Sequence, residues 1–129
     1  MQTFEIGEHM SGELPPQIQN QLAQLQQLQQ QAQAVISQKS QIEALIRETD
    51  AALKELEKSS DDAVIYKSVG ELLFKAEKLK LVEELKERKD MMDLRLKTMS
   101  KQEERIQSRF TQLQDQLKQS LGQIPPKGG

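Results

Sequence analysis

The sequence predicts an all-α dominated fold, in which a long antiparallel two-helix coiled coil is joined by one β-hairpin. Two stretches, 17–58 and 76–121, contain neither glycine nor proline, and their apolar residues recur at the seven-residue spacing of a coiled coil. Between them, residues 63–75 form the only stretch rich in β-branched and aromatic residues. Aromatic residues make up 3% of the chain, which is too few for an ordinary globular core and typical of long helices.

The first helix is predicted over residues 15–58, after a flexible lead-in at 1–14. Pro15 and Pro16 suit its first turn, where a missing N–H group is not needed. Twelve of the 25 residues from Gln17 to Gln41 are glutamine, and glutamine forms helix well without charge repulsion. The two heptad columns are apolar except for Gln21, Lys39 and Thr49. They contain Ile18, Leu25, Ala32, Ile46 and Leu53 in one column and Leu14, Leu28, Val35, Ile42 and Leu56 in the other.

The hairpin is predicted over residues 63–75, with Gly70 and Glu71 at its turn. A Gly-X pair between two strand-like runs is typical of a type II′ turn. The resulting register pairs Val69 with Leu72 and Ser68 with Leu73, and it leaves both faces largely apolar. The residues assigned to this oligomerisation hairpin are Val64, Ile65, Tyr66, Val69, Gly70, Leu72, Leu73 and Phe74. Because a lone hairpin is marginal in water and has unpaired edges, other chains are expected to cover it.

The second helix is predicted over residues 76–122, followed by a flexible tail at 123–129. Gly122 is a candidate C-cap, and Pro125 and Pro126 prevent further helix. The hairpin makes the two helices antiparallel, and this alignment brings Lys39 near Glu103. The two could form a register-setting ion pair, or both side chains could extend to water. Five apolar residues lie off the seam near the hairpin, where they could widen a contact with an assembly: Leu45, Leu79, Leu81, Met91 and Leu94.

Neither an enzyme site nor a cofactor or metal site is expected. The chain has no cysteine and a single histidine, His9, so the usual zinc ligands are missing, and the glycines form no phosphate-binding loop. A net charge of −2 with interspersed signs points to neither nucleic acid nor membrane as a partner. No signal peptide or membrane span is expected. The absence of cysteine is compatible with a reducing cytoplasm, which is the predicted location.

The motif Tyr66-Lys67-Ser68-Val69-Gly70, followed by Leu73, resembles the hairpin of the prefoldin beta class. Two segments also resemble the second helix of that family: Leu85-Lys86-Glu87-Arg88 and Lys101-Gln102-Glu103-Glu104-Arg105. The resemblance spans roughly residues 14–122. Alpha-class subunits carry two hairpins, whereas this chain has room for one.

This resemblance implies an ATP-independent chaperone subunit that works in a hetero-hexamer with alpha-class subunits and further beta copies. Hairpins from all subunits would form an oligomeric β-barrel body. The coiled-coil tips would hold unfolded polypeptides and pass them to a group II chaperonin. The implied tip residues are Leu14, Ile18, Leu22, Leu25, Leu113, Leu117, Leu121 and Ile124.

Two alternatives remain open from the residues alone. The tip leucines could form the last turns of a closed coil instead of an open binding surface. The whole chain could equally be a structural coiled-coil scaffold or tether, with the hairpin as its oligomerisation element.

Overall fold

The computed structural model describes residues 14–123. The chain runs through α1 (Pro16–Lys58), β1 (Ile65–Val69), β2 (Leu72–Ala76) and α2 (Lys78–Gly122). The two strands form a single antiparallel sheet between the two long helices, which confirms the predicted fold class. His9, the rest of the predicted lead-in up to residue 13 and the tail from residue 124 lie outside the described residues.

Helix α1 begins at the predicted double proline. The Pro15 carbonyl accepts hydrogen bonds from the N–H groups of Ile18 and Gln19, at 3.0 and 3.1 Å. Pro16 therefore occupies the first helical position, where its fixed φ suits the helix and its missing donor is not required.

Ser59 ends helix α1. Its N–H donates to the carbonyls of Glu55 and Leu56, both at 3.2 Å, and its hydroxyl donates to the Leu56 carbonyl at 2.7 Å. These bonds satisfy carbonyls that the last turn of a helix leaves without a partner. The chain then turns through Ser60, whose carbonyl accepts a bond from the Ala63 N–H at 3.1 Å, and enters the hairpin.

Helix α2 ends at Gly122, the last residue of the predicted helix. Gly122 is still helical, and among the described residues only Gly70 has a positive φ. The helix thus ends at the candidate cap Gly122, without a left-handed residue there. The Gln123 N–H instead bonds to the Ser120 carbonyl at 3.3 Å, which tightens the last turn.

The described chain divides into two compact units. The terminal unit contains residues 14–35 and 102–123, and the hairpin unit contains residues 36–101. Within the terminal unit, a cluster of buried apolar residues from both helices forms the core, which we call the terminal cluster. It consists of Leu14, Ile18, Leu25, Leu113 and Leu117.

The hairpin unit contains polar residues in its coiled-coil seam. Thr49 is buried, and its hydroxyl donates to the Leu45 carbonyl at 2.8 Å, so it needs no partner on α2. Lys89 extends from α2 to Asp50 on α1, with Nζ 2.6 Å from Oδ1. The hydrogen bond and the attraction to Asp50 raise the pKa of Lys89 above its ordinary 10.5.

The hairpin has the predicted register. Val69 pairs with Leu72, Ser68 with Leu73, and Lys67 with Phe74. Gly70 has a φ of 63°, whereas Glu71, like every non-glycine residue described, has a φ that is not positive. A positive φ at the first central position alone defines the predicted type II′ turn.

Replacing Gly70 with alanine tests the turn. No atom lies within 4 Å of a Cβ added there, so the cost comes from the left-handed backbone alone, about 1–2 kcal/mol. We expect thermal unfolding followed by circular dichroism, at fixed protein concentration, to show this loss. Gly122→Ala is the matched control. It also has open space around it but a helical backbone, so its effect should be neutral or stabilising by up to about 1 kcal/mol. Equal effects of the two substitutions would contradict the turn assignment.

Replacing Lys89 with glutamine tests the Asp50–Lys89 ion pair through its pH dependence. Since folding raises the pKa of Lys89, the stability it contributes is fully present below the ordinary value of 10.5. It is lost as the pH rises through the folded-state pKa. The difference in melting temperature between wild type and Lys89→Gln should therefore stay constant from neutral pH to about pH 9 and shrink as the pH rises above the ordinary value of 10.5. Lys86→Gln, which removes an exposed lysine from the same helix, controls for the change in net charge. An equal change of the difference with pH for both variants would contradict the assignment to the ion pair.

Candidate functional surfaces

The hairpin is held against α2 by an ion pair. Lys67 on β1 places its Nζ 3.1 and 3.2 Å from the two carboxylate oxygens of Glu84. Arg88 Nη2 lies 3.6 Å from the same carboxylate. These groups are partly exposed, and such pairs add little stability. Their effect is orientational, because the bidentate contact places the Lys67 face of the hairpin towards α2.

A second contact fixes the base of the hairpin. Lys78, in the first turn of α2, donates from Nζ to the Ser59 carbonyl at 2.7 Å, and its Nζ lies 3.3 Å from Asp61 Oδ1. Only 14% of the Lys78 side chain is exposed. The cation therefore binds the C-terminal end of α1, where the helix dipole favours positive charge. Lys78 therefore links the end of α1 to the start of α2, on either side of the hairpin.

Most apolar side chains of the hairpin remain exposed on both faces. The exposed fractions range from 50% for Val69 to 69% for Leu73. One face carries Val64, Tyr66 and Leu73, and the other carries Val69, Leu72 and Phe74. Of the other predicted hairpin residues, Ile65 is half-buried and Gly70 is exposed at the turn. The described part of this chain therefore does not cover its own hairpin.

A shallow groove separates the hairpin from the start of α2. Lys67, Val69 and Phe74 line it from the strands, and Leu81 and Glu84 line it from the helix. The face that carries Val69 and Phe74 thus borders α2 without being closed by it.

The predicted tip residues lie in a closed seam. Four of them, Leu14, Ile18, Leu25 and Leu113, have exposed fractions of 2–8%, and Leu117 has 1%. Leu22 and Leu121 are partly buried against this terminal cluster, and Ile124 lies outside the described residues. The described residues therefore adopt the closed coil, and the binding of unfolded chains at these positions stays a prediction.

The sequence-based assignment of the tip did not include some residues of the terminal unit. Leu28 and Phe110 also pack against the terminal cluster. Leu28 lies in a heptad column of the first helix and Phe110 lies seven residues before Leu117, so the pattern could have included both. Gln21 lies in a heptad column as well, and its Oε1 is buried without a hydrogen-bond partner among the described groups. The terminal seam therefore contains a polar group whose burial is costly.

Exposed apolar residues also occur on the helices of the hairpin unit. Four of the five predicted off-seam residues are exposed, with fractions of 49% for Leu45, 77% for Leu79, 73% for Met91 and 66% for Leu94. Leu81, the fifth, is half-buried. Ile36 is 51% exposed and was not singled out from the sequence, although it lies next to the heptad position Val35.

Residues 14–123 contain no cluster of three or more histidine, cysteine or acidic residues that could hold a metal ion. Neither described helix has a stretch long and apolar enough to cross a membrane.

The chain is similar to known proteins over most of its length. The family model described as prefoldin subunit matches residues 19–124. The prefoldin subunit beta of Methanothrix thermoacetophila is 72% identical over 120 residues, covering 93% of this chain and 100% of that protein. The corresponding protein of Pyrococcus furiosus is 42% identical over 116 residues, covering 90% and 97%. The crystal structure of the prefoldin beta subunit from Thermococcus strain KS-1 matches with a TM-score of 0.77 and 40% identity, covering 87% of this chain and 96% of that one.

Introducing charge on each hairpin face tests whether these faces are interfaces. We expect Val69→Glu and Leu73→Glu each to weaken association with other subunits by about 30-fold or more, because apolar anchors contribute about 2 kcal/mol when an interface buries them. Light scattering should show the loss of mass, and circular dichroism should show that the helices persist. Ala51→Glu places the same charge on an exposed position of α1 and should leave the mass unchanged. An unchanged mass for both hairpin variants would rule out the hairpin as the interface.

Proposed function

Because this chain belongs to the prefoldin beta subunit family, we propose that it is a holding subunit that captures unfolded polypeptides at the ends of its coiled coil, without nucleotide. It is a chaperone subunit, and it assembles with other prefoldin subunits. The observation that carries the proposal is the apolar terminal cluster, to which the start of α1 and the last turns of α2 both contribute side chains. Opening these helix ends would expose apolar side chains on two separate helices.

The proposed assembly is a hetero-hexamer with alpha-class subunits and further copies of this chain. The support comes from the hairpin, most of whose apolar side chains are at least half exposed while Lys67 and Lys78 fix its position against the helices. Strand edges without partners and uncovered apolar faces favour pairing with other chains. The proposed body is a β-barrel to which each subunit contributes its hairpin.

In this proposal the terminal cluster binds clients only when the two helices separate locally. Two features favour such opening. The buried Gln21 amide oxygen lacks a partner, and the neighbouring positions of α1 are rich in glutamine, which loses little when exposed to water. The closed seam is the resting state, and the open seam is the holding state.

Several copies on one body make weak contacts sufficient. Once one coil end binds a segment of an unfolded chain, the other ends meet that chain at a high effective concentration. Weak individual contacts also permit release, which a transfer to a group II chaperonin in the cytoplasm requires. Neither step needs a nucleotide, and the proposed cycle contains none.

One observation favours a second candidate function. The terminal cluster is closed, with Leu117 1% exposed, as expected for the end of a passive coiled coil. A structural scaffold or tether that oligomerises through its hairpin would have this structure as well.

Suppression of aggregation separates the two candidates. The assembled complex is added to a dilution-refolding reaction of an unrelated denatured enzyme, without nucleotide, and turbidity is recorded. A holding chaperone lowers the turbidity at stoichiometric amounts of complex, whereas a scaffold leaves it unchanged.

Gln21→Leu tests whether the ends must open. Replacing this half-buried glutamine, whose Oε1 is buried and unpaired, with an apolar side chain should stabilise the terminal seam by about 1–2 kcal/mol, which lowers the open fraction by roughly 5- to 30-fold. We expect a higher melting temperature together with weaker suppression of aggregation.

Thr49→Val provides the matched control. It likewise replaces a polar seam residue with an apolar one, but Thr49 lies in the hairpin unit. Its suppression of aggregation should equal that of the wild type. Unchanged suppression by a stabilised Gln21→Leu variant would exclude opening as the holding mechanism.

A further inference from the structure

One stripe of α2 combines exposed apolar side chains with unpaired positive charge. The stripe consists of Met91, Leu94, Arg95, Thr98 and Lys101, which lie within about 120° of one another at ~100° per residue. All five belong to the hairpin unit and all are exposed. We call this set the α2 stripe.

The α2 stripe is more apolar than its sequence suggests. Met91 and Leu94 are 73% and 66% exposed. The Thr98 hydroxyl donates to the Leu94 carbonyl at 3.2 Å, so its hydrogen-bonding capacity is used within the helix. Methionine in particular adapts to partners of different shape.

The positive charge of the stripe is not neutralised within the described part of the chain. Residues 14–123 form salt bridges through Lys67, Lys78, Arg88 and Lys89, among others, but not through Arg95 or Lys101. The carboxylates of Glu87 and Asp90 border the stripe at its N-terminal end, one turn before Met91 and Leu94. Charge along the stripe therefore changes from acidic near residue 87 to basic at residue 101.

From this juxtaposition we infer that the α2 stripe is a second binding site for unfolded polypeptides, selective for apolar segments that carry acidic side chains. The inference rests on the proposed holding function and names its preferred client class. Apolar client residues pack on Met91 and Leu94, while client carboxylates pair with Arg95 and Lys101. Unlike the terminal cluster, this site is accessible without any separation of the helices.

Leu45 extends the site onto α1. The Asp50–Lys89 contact at 2.6 Å sets the antiparallel register of the hairpin unit. In that register Leu45, five residues before Asp50, lies level with the middle of the stripe. Its heptad position is on the same side of the seam as Arg95, and it is 49% exposed. A bound segment can therefore contact both helices.

Peptide titration tests the α2 stripe directly on the complex of this chain with an alpha-class partner. The probe is a short fluorescent peptide with leucine at every third or fourth position and glutamate between. A second peptide has lysine in place of each glutamate. Fluorescence anisotropy should show that the acidic peptide binds about three- to tenfold more tightly, as expected for two exposed ion pairs.

The double variant Arg95→Glu/Lys101→Glu should abolish or reverse this preference. The matched control is Arg47→Glu/Lys54→Glu, which makes the same change in net charge at exposed positions of α1, roughly 160–180° around that helix from Leu45. The control should retain the preference within twofold. Equal losses in both double variants would mean that net charge, and not this stripe, selects the peptide, and would overturn the inference.

The double variant Met91→Gln/Leu94→Gln tests whether clients bind the apolar residues of the α2 stripe. It also tests whether another subunit covers those residues instead. We expect weaker binding of both peptides and an unchanged mass of the complex. A changed mass would show that another subunit covers the stripe, and unchanged binding would show that clients do not contact it. Either result overturns the inference. Because the titration needs no aggregating client, a wild-type complex that binds the peptide but fails to suppress aggregation would contradict the proposed function separately.

Discussion

The uncovered hairpin is the constraint on which the rest of this structure depends. Two strands of five residues each cannot bury both of their faces against two helices, and an isolated hairpin is marginally stable in water. The structure keeps the strands in place with polar contacts at their borders: Lys67 with Glu84 and Lys78 with Ser59. These contacts fix the position of the hairpin without covering Leu73 or Phe74. The apolar area therefore remains available for other subunits, and the stability of the hairpin becomes linked to assembly.

Polar groups also set the register of the helices in the hairpin unit. An apolar seam alone would tolerate a shift by one heptad, because each leucine would contact another leucine in the shifted register. The Asp50–Lys89 pair removes that degeneracy, since a shifted register would separate the two charges from each other. Thr49 does not contribute in the same way, because its hydroxyl is satisfied by the Leu45 carbonyl of its own helix.

Local sequence rules predicted the hairpin better than the state of the helix ends. The register and the II′ turn follow from one Gly-X pair, since only glycine adopts the positive φ of that turn at little cost. The Lys67–Glu84 contact joins residues 17 positions apart, and nothing local encodes it. The heptad pattern identified Leu113 and Leu117 as apolar positions at the end of the coil. A pattern cannot tell whether such a seam is closed, because the same residues serve a closed coil and an open surface. The glycine and proline pattern also located the end of α2 at Gly122, where glycine keeps a helical backbone.

The closed terminal cluster limits how tightly a single subunit can hold a client in the proposed mechanism. A client at this site must replace contacts that Ile18 and Leu117 already make, since these side chains are 2% and 1% exposed. The apparent affinity is therefore reduced by the fraction of time that the ends are open. The α2 stripe carries no such penalty, because Met91 and Leu94 are exposed before any client arrives. First contact at the stripe would keep a chain near the coil and so raise its effective concentration at the ends whenever they open. Under this scheme a low open fraction is compatible with useful holding, and the closed seam keeps the leucines from associating with those of other subunits in the absence of a client.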